Sequence, residues 1–312
     1  MNKSIVFMGT PQFAVPILDR LLIEKYSILT VYTRPDKPTG RGQKLNFSPV
    51  KKFALEHNIP VLQPDTLKSA AVVDALKELN PGLIVVAAFG RILPAAVLSI
   101  PKHGCLNIHP SLLPSYRGPS PVAYTLLGRE QIGGVTLILM DEGMDSGPIV
   151  AQRKVDISDD DTTGSLTGKL ALEGAELLIE SLPLWLHGKM KLTPQDDSKA
   201  TYSRITNADD GLIDWHLSAV EIGYRIRALH PWPGTFTWWE GKRIKIHKGI
   251  PLDGEASGEP GEIVALSMGE RIGVITGDGY LEICQLQLEG KKEMTAVDFA
   301  RGQRKFVGSV LT

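Results

Sequence analysis

The chain has 312 residues, 43% of them hydrophobic and 22% charged, which suits a soluble globular protein of two domains and excludes a disordered or fibrous one. Its net charge of −1 gives no bulk support to a nucleic-acid binder, so charge has to be read locally. Two cysteines far apart, Cys105 and Cys284, exclude a disulfide framework and a cysteine zinc site and point to a reducing compartment.

The run from Ser4 to Met8 reads as a buried strand, with no apolar signal-peptide core around it. No apolar run reaches the length of a membrane span, so a cytoplasmic location is expected. Phe13, Val15, Ile17, Leu18, Leu21 and Leu22 then have helical spacing. Strand-like runs follow at Ser27 to Tyr32, Pro60 to Leu62, Leu83 to Ala88, Gly104 to Ile108 and Gly133 to Met140. Helical patterns over Val50 to His57, Ala70 to Leu79 and Thr162 to Leu186 lie among them. Strands without polar–apolar alternation, separated by helices, predict an α/β fold with a Rossmann-like, mostly parallel sheet covered on both faces. Residues 189–207 are polar and aperiodic and read as a linker between a domain of residues 1–188 and one of residues 208–312. The second domain opens with a helical pattern from Ser218 to Leu229. Short β-type runs follow at Thr235 to Trp239, Arg243 to His247, Glu262 to Ala265, Gly273 to Thr276 and Tyr280 to Gln285. Gly, Pro and Asp turns divide them, which predicts a small β-barrel.

Four segments carry candidate chemistry. The first strand-to-helix turn, Met8-Gly9-Thr10-Pro11, lacks the second and third glycines of the dinucleotide fingerprint and so disfavours a nicotinamide enzyme. Gly9 serves either a tight turn alone or a ligand crevice at the strand's carboxyl end. Between Arg34 and Lys44 the residues predict a loop in which Arg34, Lys37, Arg41 and Lys44 oppose only Asp36. That is either a solvated charge run or a surface for a phosphate-rich partner. Asn107 and His109, two residues apart, share one face of a strand that Pro110 ends. Polar residues are unusual in a buried parallel strand, and either a structural pair or a reaction centre fits. The loop Met140 to Pro148 is acidic and glycine-containing but lacks calcium-loop spacing, so no metal is expected; Asp145 there is a carboxylate suited to orienting an imidazole.

Together, Phe7-Met8-Gly9-Thr10-Pro11, Asn107-Ile108-His109-Pro110-Ser111-Leu112-Leu113-Pro114 and Gly143-Met144-Asp145-Ser146-Gly147-Pro148 resemble the folate-dependent formyltransferase family. The stretch Ser111-Leu112-Leu113-Pro114-Ser115-Tyr116-Arg117-Gly118 is the most specific part of the match. The resemblance implies 10-formyltetrahydrofolate as formyl donor and co-substrate, with Asn107, His109 and Asp145 as the catalytic trio. Asn107 would donate to the formyl oxygen. His109 would stabilise that oxygen when charged or accept the amine proton when neutral. Asp145 would pair with His109. Folate would lie among Phe89, Gly90, Ile92, Leu93, Ser111, Leu112, Leu113, Pro114, Asp141, Glu142 and Gly143.

The resemblance spans the whole chain and narrows to members that formylate the α-amine of methionyl-initiator tRNA. The basic loop, Asp214-Trp215, and the stretch Arg225 to Gly234 carry that narrower reading, together with an oligonucleotide-binding-type barrel. It implies tRNA contacts at Arg34, Lys37, Arg41 and Lys44, and at Lys242, Arg243, Lys245 and Lys248. A monomer with no membrane partner is expected. From residue 201 onward, 13 Lys and Arg stand against 15 Asp and Glu, so any tRNA surface there must be a local cluster. Pro119-Ser120-Pro121 departs from the family, where small alanines precede the proline, and leaves the start of the next helix open. Competing readings are a formyltransferase acting on a small amine such as an amino-sugar nucleotide, a 10-formyltetrahydrofolate hydrolase, and a non-catalytic RNA-binding module.

Overall fold

The strand β1 (Ser4–Gly9) opens the first sheet in a computed structural model that describes residues 4–39, 44–255 and 257–312. The first half continues with β2 (Ser27–Tyr32), β3 (Lys37–Thr39), β4 (Lys44–Asn46), β5 (Val61–Leu62), β6 (Leu83–Ala87), β7 (Cys105–His109), β8 (Ile132–Leu139) and β9 (Ile149–Asp156). Its helices are α1 (Val15–Ile23), α2 (Pro49–Glu56), α3 (Ala70–Glu78), α4 (Ala95–Leu98), α5 (Pro121–Leu127) and α6 (Thr163–Leu186). Seven strands form one sheet in the order β5-β2-β1-β6-β7-β8-β9. The pairings from β5 through β7 are parallel, and β8 and β9 add antiparallel. The strand order reverses between β1 and β6, which is where an open α/β sheet leaves a crevice at its carboxyl ends. Val6, Phe7 and Met8 of β1 and Ile84 and Val85 of β6 are fully buried, as strands covered on both faces require.

The basic segment expected as a loop forms a ribbon instead: β3 pairs antiparallel with β4, Lys37 opposite Asn46. At its base Lys51 Nζ pairs with Asp36, and Gln63 Nε2 donates to Asp36 Oδ1 (2.9 Å) and to the Arg34 carbonyl (2.8 Å). The α5 helix begins at Pro121, where a proline's missing N–H costs nothing.

The chain divides into two compact units. The first comprises Met1–Pro121, Gln131–Ile157 and Leu166–Arg204; the second comprises Val122–Glu130, Ser158–Ser165 and Ile205–Thr312. Residues 189–204, which read as a linker, thus belong to the first unit, held there by polar side chains described below.

The second unit contains α7 (Ala219–Ala228), β10 (Thr235–Trp239), β11 (Lys242–Leu252), β12 (Ile263–Leu266), β13 (Arg271–Ile275), β14 (Tyr280–Leu288), β15 (Met294–Thr295) and α8 (Ala296–Gly302). A capping box starts α7: Ser218 Oγ accepts from the Glu221 amide and Glu221 accepts from the Ser218 amide. The sheet is antiparallel in the order β10-β11-β14-β13-β12, with β15 on β14. Residues 308–312 run between its two edges. Gly308 N–H donates to Ile263 O and Leu311 N–H to Gly261 O on one side. On the other side Trp238 N–H donates to Thr312 O and Thr312 N–H returns to Trp238 O. The sheet is thereby closed into the barrel that the short strands predicted, around Ile222, Ile244, Ile263, Leu281 and the mutually packed Trp239, Phe299 and Phe306. Among the described residues, no helix is long and apolar enough to cross a membrane.

Candidate active site

Asn107 and His109 end β7 and are 8% and 4% exposed. Alternation along the strand places them on one face, with Leu106 and Ile108 on the other. Asp145 comes to them from the loop after β8. Asn107 Nδ2 donates to Asp145 Oδ1 at 3.4 Å, and His109 Nδ1 lies 3.6 Å from Asp145 Oδ2. The second distance is within ion-pair reach but too long for a hydrogen bond. Asp145 Oδ2 instead accepts from the Gly118 amide at 2.8 Å. The other ring nitrogen, His109 Nε2, donates to the Tyr116 carbonyl at 3.0 Å. Both imidazole nitrogens therefore face oxygen acceptors. A doubly protonated ring satisfies both, and a neutral ring satisfies one.

The loop that supplies these partners is tightly held. Ser111 Oγ donates to Ser115 O (2.6 Å) and Thr136 Oγ1 to Ser111 O (2.6 Å). Thr136 Oγ1 accepts from Leu113 N–H at 3.0 Å. Tyr116 N–H reaches Thr201 Oγ1 (2.8 Å), and Arg117 N–H reaches Thr201 O (2.8 Å). Gly118 has φ +105°, and a Cβ there would lie 2.6 Å from the Ser203 carbonyl, so no other residue fits.

Beside the trio, Ile92, Leu93, Asp141 and Gly143 line a cavity of about 100 Å³ together with Arg91, Ile138, Met140, Met144 and Asp145 itself. Of the residues expected around folate, these four come together. Ile92 is 76% exposed and available. Phe89 is not: its ring is 2% exposed, in one cluster with Val6, Met8 and Tyr32 in the sheet core, and its carbonyl accepts from Thr10 Oγ1 at 3.2 Å. Ser111 and Leu113 are buried and spent on the loop itself, Leu112 and Pro114 are half-buried, and Gly90 and Glu142 are exposed outside that lining.

Arg34 and Lys37, both exposed, line a second cavity of about 280 Å³ with Thr10, Phe47 and Ser48, at the carboxyl end of β1. Arg41 lies outside the described residues; Lys44 belongs to β4 by its backbone. In the second unit, Arg243 and Lys245 alternate with buried Ile244 and Ile246 and so share the outer face of β11. The Arg243 guanidinium stacks on Phe236 at 3.5 Å. Lys242 is exposed at the strand's start. Lys248, also exposed, sits at a register shift opposite Gln285, 3.8 Å from Asp160. Among the described residues, no three His, Cys, Asp or Glu are grouped to hold a metal ion.

The Gln195 amide engages the Asp145 loop, a contact that nothing in the sequence announces. It lies in the polar stretch 189–207, where no period or motif marks it.

Residues 2–182 match the family described as "Formyl transferase", and residues 205–304 match "Formyl transferase, C-terminal domain". The chain belongs to the formyl transferase family. A methionyl-tRNA formyltransferase of Alkaliphilus oremlandii is 43% identical over 99% of this chain and 99% of its own length. One from Dehalococcoides mccartyi is 47% identical over 99% of this chain and 98% of its own. Among solved structures, HypX from Aquifex aeolicus in complex with tetrahydrofolic acid superposes with a TM-score of 0.64 at 21% identity, over 97% of this chain. This chain spans 48% of that HypX chain, and the likeness shows a shared fold.

Proposed function

We propose that this chain transfers the formyl group of 10-formyltetrahydrofolate to the α-amine of methionyl-initiator tRNA. The products are N-formylmethionyl-tRNA and tetrahydrofolate, made in the cytoplasm for translation initiation. The observation that carries the chemistry is the convergence of Asn107, His109 and Asp145 at the carboxyl end of β7. Relatives named methionyl-tRNA formyltransferase that match along nearly their whole length support the acceptor.

The bound donor supplies the formyl carbon. As the amine attacks it, a C–N bond forms and the formyl oxygen gains negative charge. Asn107 spends one amide N–H on a long contact to Asp145, which leaves the other for that oxygen. His109 lends positive charge when both its nitrogens are protonated, and the Asp145 carboxylate stabilises that charge. The bond to the folate nitrogen then breaks; the amine gives up one proton and the leaving nitrogen takes one up, so the proton count balances. Apolar Ile92, Leu93 and Met140 beside Asp141 suit a flat heteroaromatic ring carrying N–H donors. In this reading the first unit performs formyl transfer. The second unit binds tRNA through Arg243 and Lys245, together with Arg34 and Lys37 of the first. The chain acts as a monomer.

The test incubates the chain with 10-formyltetrahydrofolate and methionyl-initiator tRNA and looks by mass spectrometry for formylmethionine released from the tRNA. Formylated tRNA is expected from the parent, and none above background from His109→Ala. Formylation of an amino-sugar nucleotide in its place, or release of formate with no acceptor, would replace this reading.

A further inference from the structure

The Asp145 loop is gripped from behind by one side chain. Gln195 Nε2 donates to the carbonyls of both Asp145 and Gly147, each at 2.7 Å. Gln195 Oε1 accepts from Arg117 Nε at 3.0 Å and from Arg117 Nη2 at 2.8 Å. Chemistry sets the amide's orientation from both sides. A guanidinium only donates, so the atom facing it is the oxygen; a carbonyl only accepts, so the atom facing two of them is the nitrogen. Both N–H groups of Gln195 are used.

Arg117 is itself held. Its side chain is 3% exposed, and it also donates to Asp197 Oδ1 at 2.7 Å. Its backbone pairs with Thr201 and Ser203. The neighbouring Gly118 N–H is the donor to Asp145 Oδ2. The Arg117–Gly118 segment therefore grips Asp145 twice, once on the carboxylate and once, through Gln195, on the backbone. Asp145 sits at φ +53°, a conformation that a non-glycine residue keeps only where its surroundings hold it.

Resting on the reading of Asn107, His109 and Asp145 as the catalytic groups, we infer that Gln195, oriented by Arg117, is a positioning residue that sets the Asp145 carboxylate against His109. It touches no reacting atom. Gln195→Glu is nearly isosteric and keeps an acceptor for Arg117, but it turns a carboxylate oxygen toward two carbonyls and pushes the loop away. Gln195→Ala removes the clamp without that repulsion.

The experiment measures kcat and the separate KM values for formyl donor and methionyl-tRNA, together with melting temperature, for Gln195→Glu, Gln195→Ala and Asp145→Ala. A displacement of about 1 Å costs on the order of 100-fold in rate, so Gln195→Glu is expected to lose about 10- to 100-fold in kcat. Both KM values should stay within about 2-fold, the signature of an interaction that matters only in the transition state. Gln195→Ala should fall between Gln195→Glu and the parent. A folded Gln195→Glu with parental kcat, or one that raises KM alone, overturns the positioning role. Parental kcat in Asp145→Ala would instead sink the catalytic reading on which it rests. If Gln195→Glu fails to fold, Arg117→Lys decides: replacing a two-pronged donor by a point charge should lower kcat at constant KM, and unchanged kcat overturns the inference.

Discussion

Tyr116 and Asp145 both adopt left-handed backbone, at φ +61° and +53°, and both present an oxygen to His109. Such conformations cost on the order of 1–3 kcal/mol each outside glycine and persist where the surroundings over-determine them. Two of them around one imidazole indicate that the ring's acceptors are placed at the expense of local stability. In the proposed reaction Asn107 acts differently, as a donor toward developing charge. Asn107→Ala is therefore expected to lower kcat by about 100- to 1000-fold with little change in folate affinity. Single-turnover rates and equilibrium folate binding, measured on the same preparation, check it; parallel losses in both would remove the oxyanion role. At Cys105, burial pushes the thiol up to about 12, and the reactive species is the thiolate. Native protein held at mildly alkaline pH should leave Cys105 unalkylated by iodoacetamide, and denatured protein should label it fully. Mass-spectrometric detection of the adduct on folded protein would contradict that burial.

At the scale of elements, α6 crosses β7 and β8 at Gly174, where an added Cβ would lie 2.7 Å from Ile108 Cγ2 and 3.3 Å from Val135 Cγ2. Ile108 is the residue between Asn107 and His109, so the helix seats the strand that carries both. Gly174→Val should destabilise the protein by about 1–3 kcal/mol through overpacking. Urea unfolding measures this, and an unchanged midpoint would mean that the helix yields freely. The strands at the centre of the parallel layer were legible as unbroken apolar runs, Ser4 to Met8 and Leu83 to Ala88. β9 was not legible: it is an edge strand whose outward residues, Gln152 and Lys154 among them, are polar and exposed. The short helices α5 and α8 offer too few turns for a period to emerge. Asn107, His109 and Asp145 were legible as residue types in suggestive places, and the resemblance supplied their roles. Gln195 was invisible because its importance comes from two carbonyls and a guanidinium far away in sequence, a tertiary fact with no local pattern. The same holds for Phe89, whose place at a strand end suggests a crevice while its ring is taken up by the sheet core.

Across the whole molecule, the largest cavity described, about 610 Å³, lies within the second unit, lined in part by His230, His247, Tyr224 and Lys248. Burial, and then the neighbouring His247, hold the His230 imidazole below its ordinary value, with Glu293 opposing. The folded protein thus keeps His230 neutral at pH values where the unfolded chain has protonated it. Stability contributed by this group is complete above about pH 6.5 and declines as the pH falls toward the folded value. His230→Gln should therefore lose less melting temperature than the parent between about pH 7.5 and pH 5.5. Identical pH slopes for the two proteins would dismiss His230 as a contributor. Thr237 donates through Oγ1 to the Thr312 carbonyl across 75 residues, and residues 308–312 link the two edge strands. Pairings so distant in sequence form late and slowly. On the ribosome, where the chain emerges from its amino end, the first unit has all its strands long before the second can be sealed. Until residues 308–312 are made, Ile263 of β12 and Trp238 of β10 lack these edge partners, and this is the interval in which the nascent protein most needs a chaperone.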